Sequence, residues 1–467
     1  MKTKIAINGF GRIGRNAFKI AFERPDLEIV AVNDLTDTST LAHLLKHDSN
    51  YGAYQYDVSA DEQNIIVKGQ KIKVLAEKDP AKLPWRDLGV EVVIESTGLF
   101  TDPAKARAHI DAGAKKVIIS APAKGEGAET IVLGVNEDKI DSAGEIISNA
   151  SCTTNSITPI MAVLEASFGI EKALMTTIHS YTASQVLLDG PAKDIREARN
   201  AATNIVPTTT GASIAAAKAL PALEGVFGGM SVRVPTPVVS LSDFSVVTKR
   251  DVSVEEVNDV LKKAAADPYY QGILDVTEDE LVSSDFIGNS HSSIVDLKLT
   301  AVVGGNLVKV VAWYDNEWGY SNRLVELTAD VARRLTGAYR AEAEDEKEEA
   351  KHADQHHKDE KSTESKEEKL DITELPDEPL LPAPDPSHDE HGKDLLESSI
   401  PSLETKDQKS PEESDKSAVG EDTSAAGYII GDVQSGSGEK EGTKPSELSA
   451  KYPLPPDATN IDGVHRF

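Results

Sequence analysis

The feature that most constrains the fold is a glycine-rich turn between a strand and a helix near the start of the chain. Residues 4–8 form a short apolar run typical of a strand, and residues 9–14 follow with the pattern Gly-x-Gly-x-x-Gly. Residues 15–23 have the apolar spacing of a helix, and residues 27–33 predict a second strand that ends at Asp34. Strand, glycine turn, helix, strand and acid in this order are typical of a dinucleotide site.

The glycine positions predict how a dinucleotide binds. Gly9 permits a tight turn, Gly11 lets the backbone approach a pyrophosphate, and Gly14 lets the helix pack closely on the strand. Glycines also serve ordinary turns, but the flanking strands and helix favour a pyrophosphate at the helix N-terminus. Asp34 is placed to accept hydrogen bonds from ribose hydroxyls, and its charge repels a 2′-phosphate. We therefore expect NAD as the cofactor, with NADP less favoured.

Strands and helices continue to alternate up to about residue 150. Apolar strands are predicted at residues 92–94 and 117–119, with a helix over residues 102–112 between them. Each strand ends in small polar residues, among them Ser120, and such strand ends form the cofactor edge of a doubly wound sheet. Residues 1–150 are therefore predicted to form a Rossmann-type, doubly wound parallel sheet in an α/β protein.

Cys152, the only cysteine of the chain, follows a short apolar stretch at residues 144–148 and precedes a predicted helix. It thus lies in the first helical turn, where unpaired N–H groups and the helix dipole favour a thiolate over a thiol. A lone cysteine is more often a small buried hydrophobe. The polar neighbours in residues 151–155, Ser-Cys-Thr-Thr-Asn, favour a nucleophile, provided that a base and a substrate site exist.

Two further segments can supply the base and the substrate site. A predicted strand at residues 173–178 ends at His179, whose neutral imidazole suits proton removal near pH 7, although such histidines are often only structural. Residues 208–211 open an alanine-rich helix, and Arg233 adds a guanidinium. Hydroxyls, a helix N-terminus and a cation together predict an anion pocket that suits phosphate. Taken singly, each is equally a helix cap or a surface arginine.

The middle of the chain changes from alternating elements to strands. Four strands and two helices are predicted, namely the strands at residues 238–241, 244–247, 293–295 and 307–313 and the helices at residues 254–265 and 319–334. This pattern fits a mostly antiparallel sheet with helices on one face. We therefore predict an α+β substrate domain over residues 151–315.

The acidity of the chain lies mostly at its C-terminal end. Residues 341–467 carry 14 Lys and Arg against 34 Asp and Glu, whereas the whole chain has 49 against 78. This charge argues against binding to nucleic acid or to an anionic membrane. The single cysteine fits a reducing compartment, and the N-terminus has no positively charged apolar leader, so we expect a cytoplasmic protein.

The segment 339–467 is predicted to be a disordered tail, because Glu, Asp, Lys, Ser and Pro cannot bury enough apolar area to offset the ordering entropy. Two short apolar segments, residues 425–433 and 451–467, interrupt it and suggest an unidentified protein partner, although a solubility or spacer role is simpler. His352, His356 and His357 form an exposed cluster, and we expect no metal site.

Five blocks occur in a fixed order: Asn-Gly-Phe-Gly-Arg-Ile-Gly-Arg at 8–15, Ser-Cys-Thr-Thr-Asn at 151–155, His-Ser-Tyr-Thr at 179–182, Arg-Val-Pro-Thr-Pro at 233–237 and Trp-Tyr-Asp-Asn-Glu-Trp-Gly-Tyr at 313–320. Together they resemble phosphorylating glyceraldehyde-3-phosphate dehydrogenases over roughly residues 3–338. The resemblance implies a homotetramer and a C-terminal helix, about residues 316–338, that joins the first domain.

The resemblance also implies a reaction and its residues. Cys152 would attack the aldehyde of glyceraldehyde 3-phosphate, His179 would take the proton, and inorganic phosphate would release 1,3-bisphosphoglycerate from a thioester. The implied cofactor residues are Gly11, Arg12, Ile13, Asp34, Lys78, Ser120, Asn316 and Tyr320. The implied residues for the substrate phosphate are Thr182, Arg196 and Arg233, and those for the attacking phosphate are Ser151, Thr153, Thr210 and Gly211.

Three alternatives stay open at this point. Many NAD-specific relatives carry an acid where this chain has Ser184, which weakens the preference for NAD without reversing it. A related enzyme oxidises erythrose 4-phosphate with the same thiol and imidazole, and motifs do not distinguish one extra carbon. A dehydrogenase scaffold that serves as a binding protein through its tail is the alternative from another functional class.

Overall fold

A computed structural model of the chain describes residues 2–337. The predicted acidic tail, with its two apolar segments and its histidine cluster, lies outside the described residues. The described part contains two large sheets and a small two-stranded one.

The first half of the described chain forms strands and helices in alternation. Its strands are β1 (Thr3–Asn8), β2 (Leu27–Asn33), β3 (His47–Asp48), β4 (Gly52–Ala53), β5 (Val58–Ala60), β6 (Asn64–Val67), β7 (Gln70–Leu75), β8 (Val92–Glu95), β9 (Lys116–Ile119), β10 (Glu129–Thr130) and β11 (Ile146–Ser148). Its helices are α1 (Arg12–Glu23), α2 (Thr38–Lys46), α3 (Trp85–Leu88), α4 (Pro103–Ala106) and α5 (Ala108–Asp111).

Nine of these strands form the first sheet, in the order β10-β11-β9-β8-β1-β2-β7-β6-β5. From β10 to β7 neighbouring strands run parallel, and β6 and β5 extend the edge as antiparallel strands. Successive residues of β1 face opposite cores: Ile5 and Ile7 pack with Phe18 of α1, whereas Ala6 packs with Trp85 on the other face. A parallel sheet buried on both faces is the predicted Rossmann-type architecture, which is confirmed.

The second half of the described chain builds the other large sheet. Its strands are β12 (Ile170–Ser180), β13 (Val206–Thr208), β14 (Phe227–Val234), β15 (Ser240–Thr248), β16 (Leu274–Thr277), β17 (Ser293–Asp296), β18 (Ala301–Val303) and β19 (Leu307–Tyr314). The order is β13-β14-β12-β15-β19-β17-β16, with β18 beside β19. Pairing is antiparallel except for β12 with β14 and β16 with β17, which confirms the mostly antiparallel sheet.

Four helices accompany this sheet or follow it, namely α6 (Cys152–Phe168), α7 (Ala212–Ala219), α8 (Val254–Ala266) and α9 (Trp318–Thr336). Helix α6 contributes Ile160 and Leu164 to the core under the second sheet. Helix α9 instead places Leu324 and Val325 in the core of the first sheet, where it packs against α1. The last described helix therefore completes the core that the first strand begins.

The structure differs from the sequence prediction at several elements. Short strands such as β13, β16 and β18 were not predicted. Residues 238–241 and 244–247, predicted as two strands, belong largely to the single strand β15. Strand β14 was not predicted, because its Gly-Gly-Met segment lacks β-branched residues. The helix predicted over residues 102–112 consists of the two short helices α4 and α5. None of these differences changes the fold class.

Candidate active site

The turn between β11 and α6 determines where Cys152 lies. Ala150 adopts φ 55°, a left-handed conformation that residues other than glycine rarely adopt. It turns the chain sharply into the helix. Its carbonyl accepts a hydrogen bond from the Tyr320 hydroxyl at 3.2 Å. Ser151 caps α6, because its hydroxyl accepts the Thr154 N–H at 3.1 Å. Cys152 is the first helical residue and is half-buried.

The imidazole of His179 lies next to this thiol. Its Nε2 is 3.4 Å from the Cys152 Sγ. His179 is the second-last residue of β12 and is buried, with its ring edge-to-face against Tyr314 at 6.0 Å between centroids. Strand β12 of the second sheet and helix α6, which follows the first sheet, thus bring together two side chains that are 27 positions apart. Sulfur and nitrogen at this distance can exchange a proton directly.

Burial gives the pair ionisation properties that the sequence did not predict. Desolvation raises the pKa of the Cys152 thiol above its ordinary value, against the opposing effects of the Arg233 charge and of a hydrogen bond to Thr153. Burial, followed by the Arg233 charge, lowers the pKa of His179 to about 3. The helix N-terminus was expected to favour a thiolate; in this structure desolvation outweighs it. At neutral pH the site therefore holds a thiol beside a neutral imidazole.

The second ring nitrogen of His179 has two neighbours with opposite demands. The Ser180 carbonyl oxygen, an acceptor, lies 2.7 Å from Nδ1, and the Arg233 Nη1, a donor, lies 2.6 Å from it. A proton on Nδ1 would donate to Ser180 and leave Nε2 free to accept the thiol proton. With Nδ1 accepting from Arg233, Nε2 would carry the proton and donate toward the sulfur. Only the tautomer with its proton on Nδ1, bonded to Ser180, can therefore act as the base toward the Cys152 thiol.

The thiol and the imidazole lie in a cleft of about 520 Å³. The cleft also contains most of the residues that the sequence assigned to ligand binding, namely Arg12, Ile13, Ser120, Ser151, Thr153, Thr182, Thr210, Gly211, Arg233, Asn316 and Tyr320. Gly11, Asp34, Lys78 and Arg196 do not line it, and the side chains of Lys78 and Arg196 are exposed. The structure therefore brings together one compact set and leaves these four outside it.

The cleft lining contains two groups of residues with donors for an anion. In the first group, which includes Arg233, the Thr182 N–H donates to Gln185 at 2.8 Å. In the second group, Gly211 is the N-cap of α7, and the Thr210 hydroxyl accepts the Ala212 N–H at 3.2 Å. Hydroxyls, a guanidinium and a helix N-terminus are donors suited to phosphate.

Comparison with known proteins agrees with this site. The NAD-binding domain of glyceraldehyde 3-phosphate dehydrogenase matches residues 3–103, and the C-terminal domain of the same enzyme matches residues 151–316. The chain is 54% identical to glyceraldehyde-3-phosphate dehydrogenase 1 of Bacillus subtilis over 335 residues, which is 72% of this chain and 99% of that protein. It is 55% identical to the Streptomyces coelicolor enzyme over 337 residues, 72% of this chain and 100% of the relative. The chain belongs to the glyceraldehyde-3-phosphate dehydrogenase family.

As a member of this family the chain is an NAD-dependent oxidoreductase, and its glycine turn fits the cofactor. Gly9 has φ 93°, and a Cβ there would lie 2.6 Å from the Thr97 nitrogen. A Cβ on Gly14 would lie 2.1 Å from the Gly9 carbonyl oxygen, whereas one on Gly11 would meet open space. The turn is thus closed toward the protein and open at the helix N-terminus, the position that suits a pyrophosphate in dinucleotide-binding folds.

Carboxylates orient the glycine turn and the arginine beside it. Asp34 accepts the Phe10 N–H at 2.8 Å and the Thr36 N–H at 3.0 Å, so the acid predicted to bind ribose is already oriented by the backbone. Arg12 pairs with Asp48 at 2.8 Å and with Glu317, whose two oxygens accept from its guanidinium. Arg12 therefore ties the glycine turn to the segment that leads into α9.

The sequence analysis missed a buried network of hydrogen-bonded polar side chains beneath the NAD cleft. The Trp85 indole N–H donates to His109 Nδ1 at 2.9 Å, so His109 carries its proton on Nε2, which lies 3.0 Å from Glu95. Glu95 also accepts from the Asn8 amide at 2.5 Å and from the Thr97 N–H at 2.9 Å. His109 and Glu95 are 0% and 2% exposed. This network holds in place the loop against which Gly9 packs.

A second hydrogen-bond network involves residues next to Cys152 and His179. The Tyr314 hydroxyl bridges the hydroxyls of Thr153 at 3.0 Å and Thr177 at 2.9 Å. The Asn316 amide oxygen accepts from Ser180 at 2.8 Å and from Ser240 at 3.2 Å. Thr177, Ser180 and Ser240 were not singled out by the sequence, because single hydroxyls in strands carry no signal.

Among residues 2–337, no helix is long and apolar enough to cross a membrane.

Proposed function

We propose that the chain catalyses the phosphorylating oxidation of D-glyceraldehyde 3-phosphate to 1,3-bisphosphoglycerate, as in glycolysis, with NAD and inorganic phosphate. The observation that carries the proposal is the 3.4 Å contact between the Cys152 sulfur and the His179 Nε2, within a cleft whose lining also contains hydroxyls, a guanidinium and a helix N-terminus.

The first step forms a carbon–sulfur bond. His179 Nε2 takes the thiol proton, and the resulting thiolate attacks the aldehyde carbon to give a thiohemiacetal. The oxygen that gains charge is held by the Cys152 backbone N–H and by His179, and a donor in such a site contributes about 3 kcal/mol to the transition state. His179 returns its proton to that oxygen, which completes the thiohemiacetal hydroxyl, and takes the same proton back as the carbon is oxidised. Bound NAD supplies the hydride acceptor.

The second step releases the product. Oxidation leaves a thioester on Cys152, which retains the energy that an oxygen ester would lose. An oxygen of inorganic phosphate attacks the thioester carbon, the carbon–oxygen bond forms, and the carbon–sulfur bond breaks to regenerate the thiolate. Because the pKa of the free thiol is raised by burial, that thiolate readily takes the proton held by His179.

Two anion sites divide the phosphates between them. We assign the substrate phosphate to Thr182 and Arg233, and the attacking phosphate to a second group that consists of Ser151, Thr153, Thr210 and Gly211. Arg196 is assigned to the substrate phosphate by resemblance alone, because its side chain is exposed outside the cleft. Asn316 would hold the nicotinamide carboxamide, and Tyr320 would pack beside the ring.

The test is NADH formation from glyceraldehyde 3-phosphate, with and without inorganic phosphate, by wild type, Cys152→Ala and His43→Asn. His43 is exposed on α2 and serves as the matched control. We expect turnover that requires phosphate in wild type and control, and none in Cys152→Ala. Turnover that ignores phosphate, or that survives the loss of the thiol, would contradict the proposal.

Two alternative functions are decided by direct comparison. Erythrose 4-phosphate as the better substrate, judged by kcat/KM, would assign the related activity. A role as a binding protein through the tail predicts that deletion of residues 341–467 abolishes partner capture. The homotetramer, the cytoplasmic location and the division into residues 1–150, 151–315 and 339–467 stay predictions; sedimentation velocity tests the first of them.

A further inference from the structure

The amide of Asn316 is held by two serines from neighbouring strands. Ser180 ends β12, Ser240 begins β15, and Asn316 follows the end of β19, so three adjacent strands of the second sheet meet at one point. The three residues are 0%, 2% and 6% exposed. Both serine hydroxyls contact the same atom, the Asn316 Oδ1.

The direction of these hydrogen bonds fixes the orientation of the amide. The Ser240 Oγ accepts the Ser180 N–H at 3.2 Å, so its own proton is available to Asn316 Oδ1. Ser180 likewise donates to that oxygen. With the amide reversed, Nδ2 would meet two hydroxyls whose protons then lose their acceptor, which is costly in a buried site. The observed orientation therefore turns Nδ2, a donor, toward the cleft that Asn316 lines.

The backbone before Ser240 is strained. Val239 has φ 71°, a left-handed conformation that is a rare outlier for a β-branched residue, and it is 2% exposed. Strain of this kind persists where the surrounding structure requires it and is often found at functional sites. Here it directs the chain into β15 so that the Ser240 hydroxyl reaches Asn316.

Ser180 contacts His179 as well as Asn316. Its carbonyl oxygen lies 2.7 Å from His179 Nδ1, while its hydroxyl binds Asn316. One residue thus contacts both the base and the amide assigned to the nicotinamide carboxamide. The separation between these two groups depends on Ser180.

We propose that Ser180 and Ser240 are positioning residues that lock the Asn316 amide with Nδ2 toward the carboxamide oxygen of nicotinamide. This inference rests on the proposed role of Asn316. Without the two hydroxyls the amide rotates and presents its oxygen to the carboxamide oxygen in part of the molecules, which weakens binding of the nicotinamide half. The adenosine half, which binds at the glycine turn and Asp34, is unaffected.

The experiment compares the dissociation constants of NAD and of ADP-ribose, which lacks nicotinamide, for full-length wild type, Ser180→Ala, Ser240→Ala and the double variant. We expect the Kd for NAD to rise about fivefold for each lost hydroxyl, and the Kd for ADP-ribose to stay within about twofold. Ser242→Ala is the matched control. Ser242 is 0% exposed on the same strand, and its hydroxyl has no hydrogen-bond partner among residues 2–337.

The outcomes separate the inference from the proposed function. Equal weakening of NAD and ADP-ribose, or unchanged NAD binding in both single variants and the double variant, overturns the positioning role. Asn316→Ala should weaken NAD but not ADP-ribose. If it weakens neither, the assignment of Asn316 itself fails. If it weakens NAD while the serine variants do not, only the present inference fails.

Discussion

Replacement of His109 by leucine should destabilise the protein strongly, although His109 does not line the cleft that contains Cys152. The imidazole accepts from Trp85 at 2.9 Å and donates to Glu95 at 3.0 Å, and it is fully buried. Leucine has a similar volume, so the packing is nearly kept while both polar partners lose their bond. The variant therefore isolates the contribution of these hydrogen bonds to the stability of the fold.

The magnitude follows from the two partners. An unpaired buried donor such as the Trp85 indole N–H costs about 1–3 kcal/mol, and a lost bond to the carboxyl of Glu95 costs about 1.5–3 kcal/mol. The added apolar area of leucine returns about 1 kcal/mol. We expect a net loss of about 3 kcal/mol, which at a slope near 3 kcal/mol per molar moves the urea midpoint by about 1 M.

The assay is urea unfolding at a fixed protein concentration, followed by circular dichroism, for His109→Leu, His109→Gln and His43→Leu. Glutamine offers an amide NH2 as donor and a carbonyl oxygen as acceptor, and it should recover most of the loss. His43 is exposed, so its replacement should change the midpoint little. A wild-type midpoint for His109→Leu, or an equal loss for glutamine and leucine, would refute the reasoning.

Three further predictions concern the cleft. The pKa of His179 is about 3 in the folded protein and near 6.5 in the unfolded chain, so only the unfolded chain binds a proton there as the pH falls from 6.5 toward 3, and folding stability is lost over that range. In an acid titration, His179→Asn should therefore unfold at a lower pH than wild type. An unchanged midpoint would contradict a buried neutral imidazole. Tyr314→Phe removes the hydroxyl between Thr153 and Thr177 and should cost about 1–2 kcal/mol in thermal unfolding, whereas no loss would show that the bridge is not stabilising. Thr210→Val should raise the KM for inorganic phosphate about fivefold and leave the KM for the aldehyde unchanged in steady-state kinetics; a rise in both would contradict two separate anion sites.

The sequence predicted best what is encoded locally. The glycine turn, its flanking strands and Asp34 lie within about thirty residues, so a short pattern specifies the whole unit. The strand end at His179 and the helix start at Cys152 were likewise predictable from short apolar runs. Their meeting was implied by resemblance, because distance in space is not written in either segment.

Contacts between distant positions escaped the sequence analysis. Arg12 and Glu317 are 305 positions apart, and Asn8 and Glu95, which are hydrogen-bonded in the buried network, are 87 positions apart. No periodicity announces such pairs, since each residue alone reads as an ordinary polar side chain. The raised pKa of the Cys152 thiol has the same origin: it depends on how many atoms surround the sulfur, whereas the helix N-terminus was visible from the sequence.

Helix α9 has a consequence for how the chain is made. Its residues Leu324 and Val325 complete a core to which Ile5 and Phe18 belong, so the nascent N-terminal half remains open until translation has passed residue 336. At about 5–20 residues per second, the roughly 320 residues between Phe18 and the end of α9 take roughly 16–64 s to synthesise. Over this interval the apolar surface that α9 later covers stays exposed on the nascent chain.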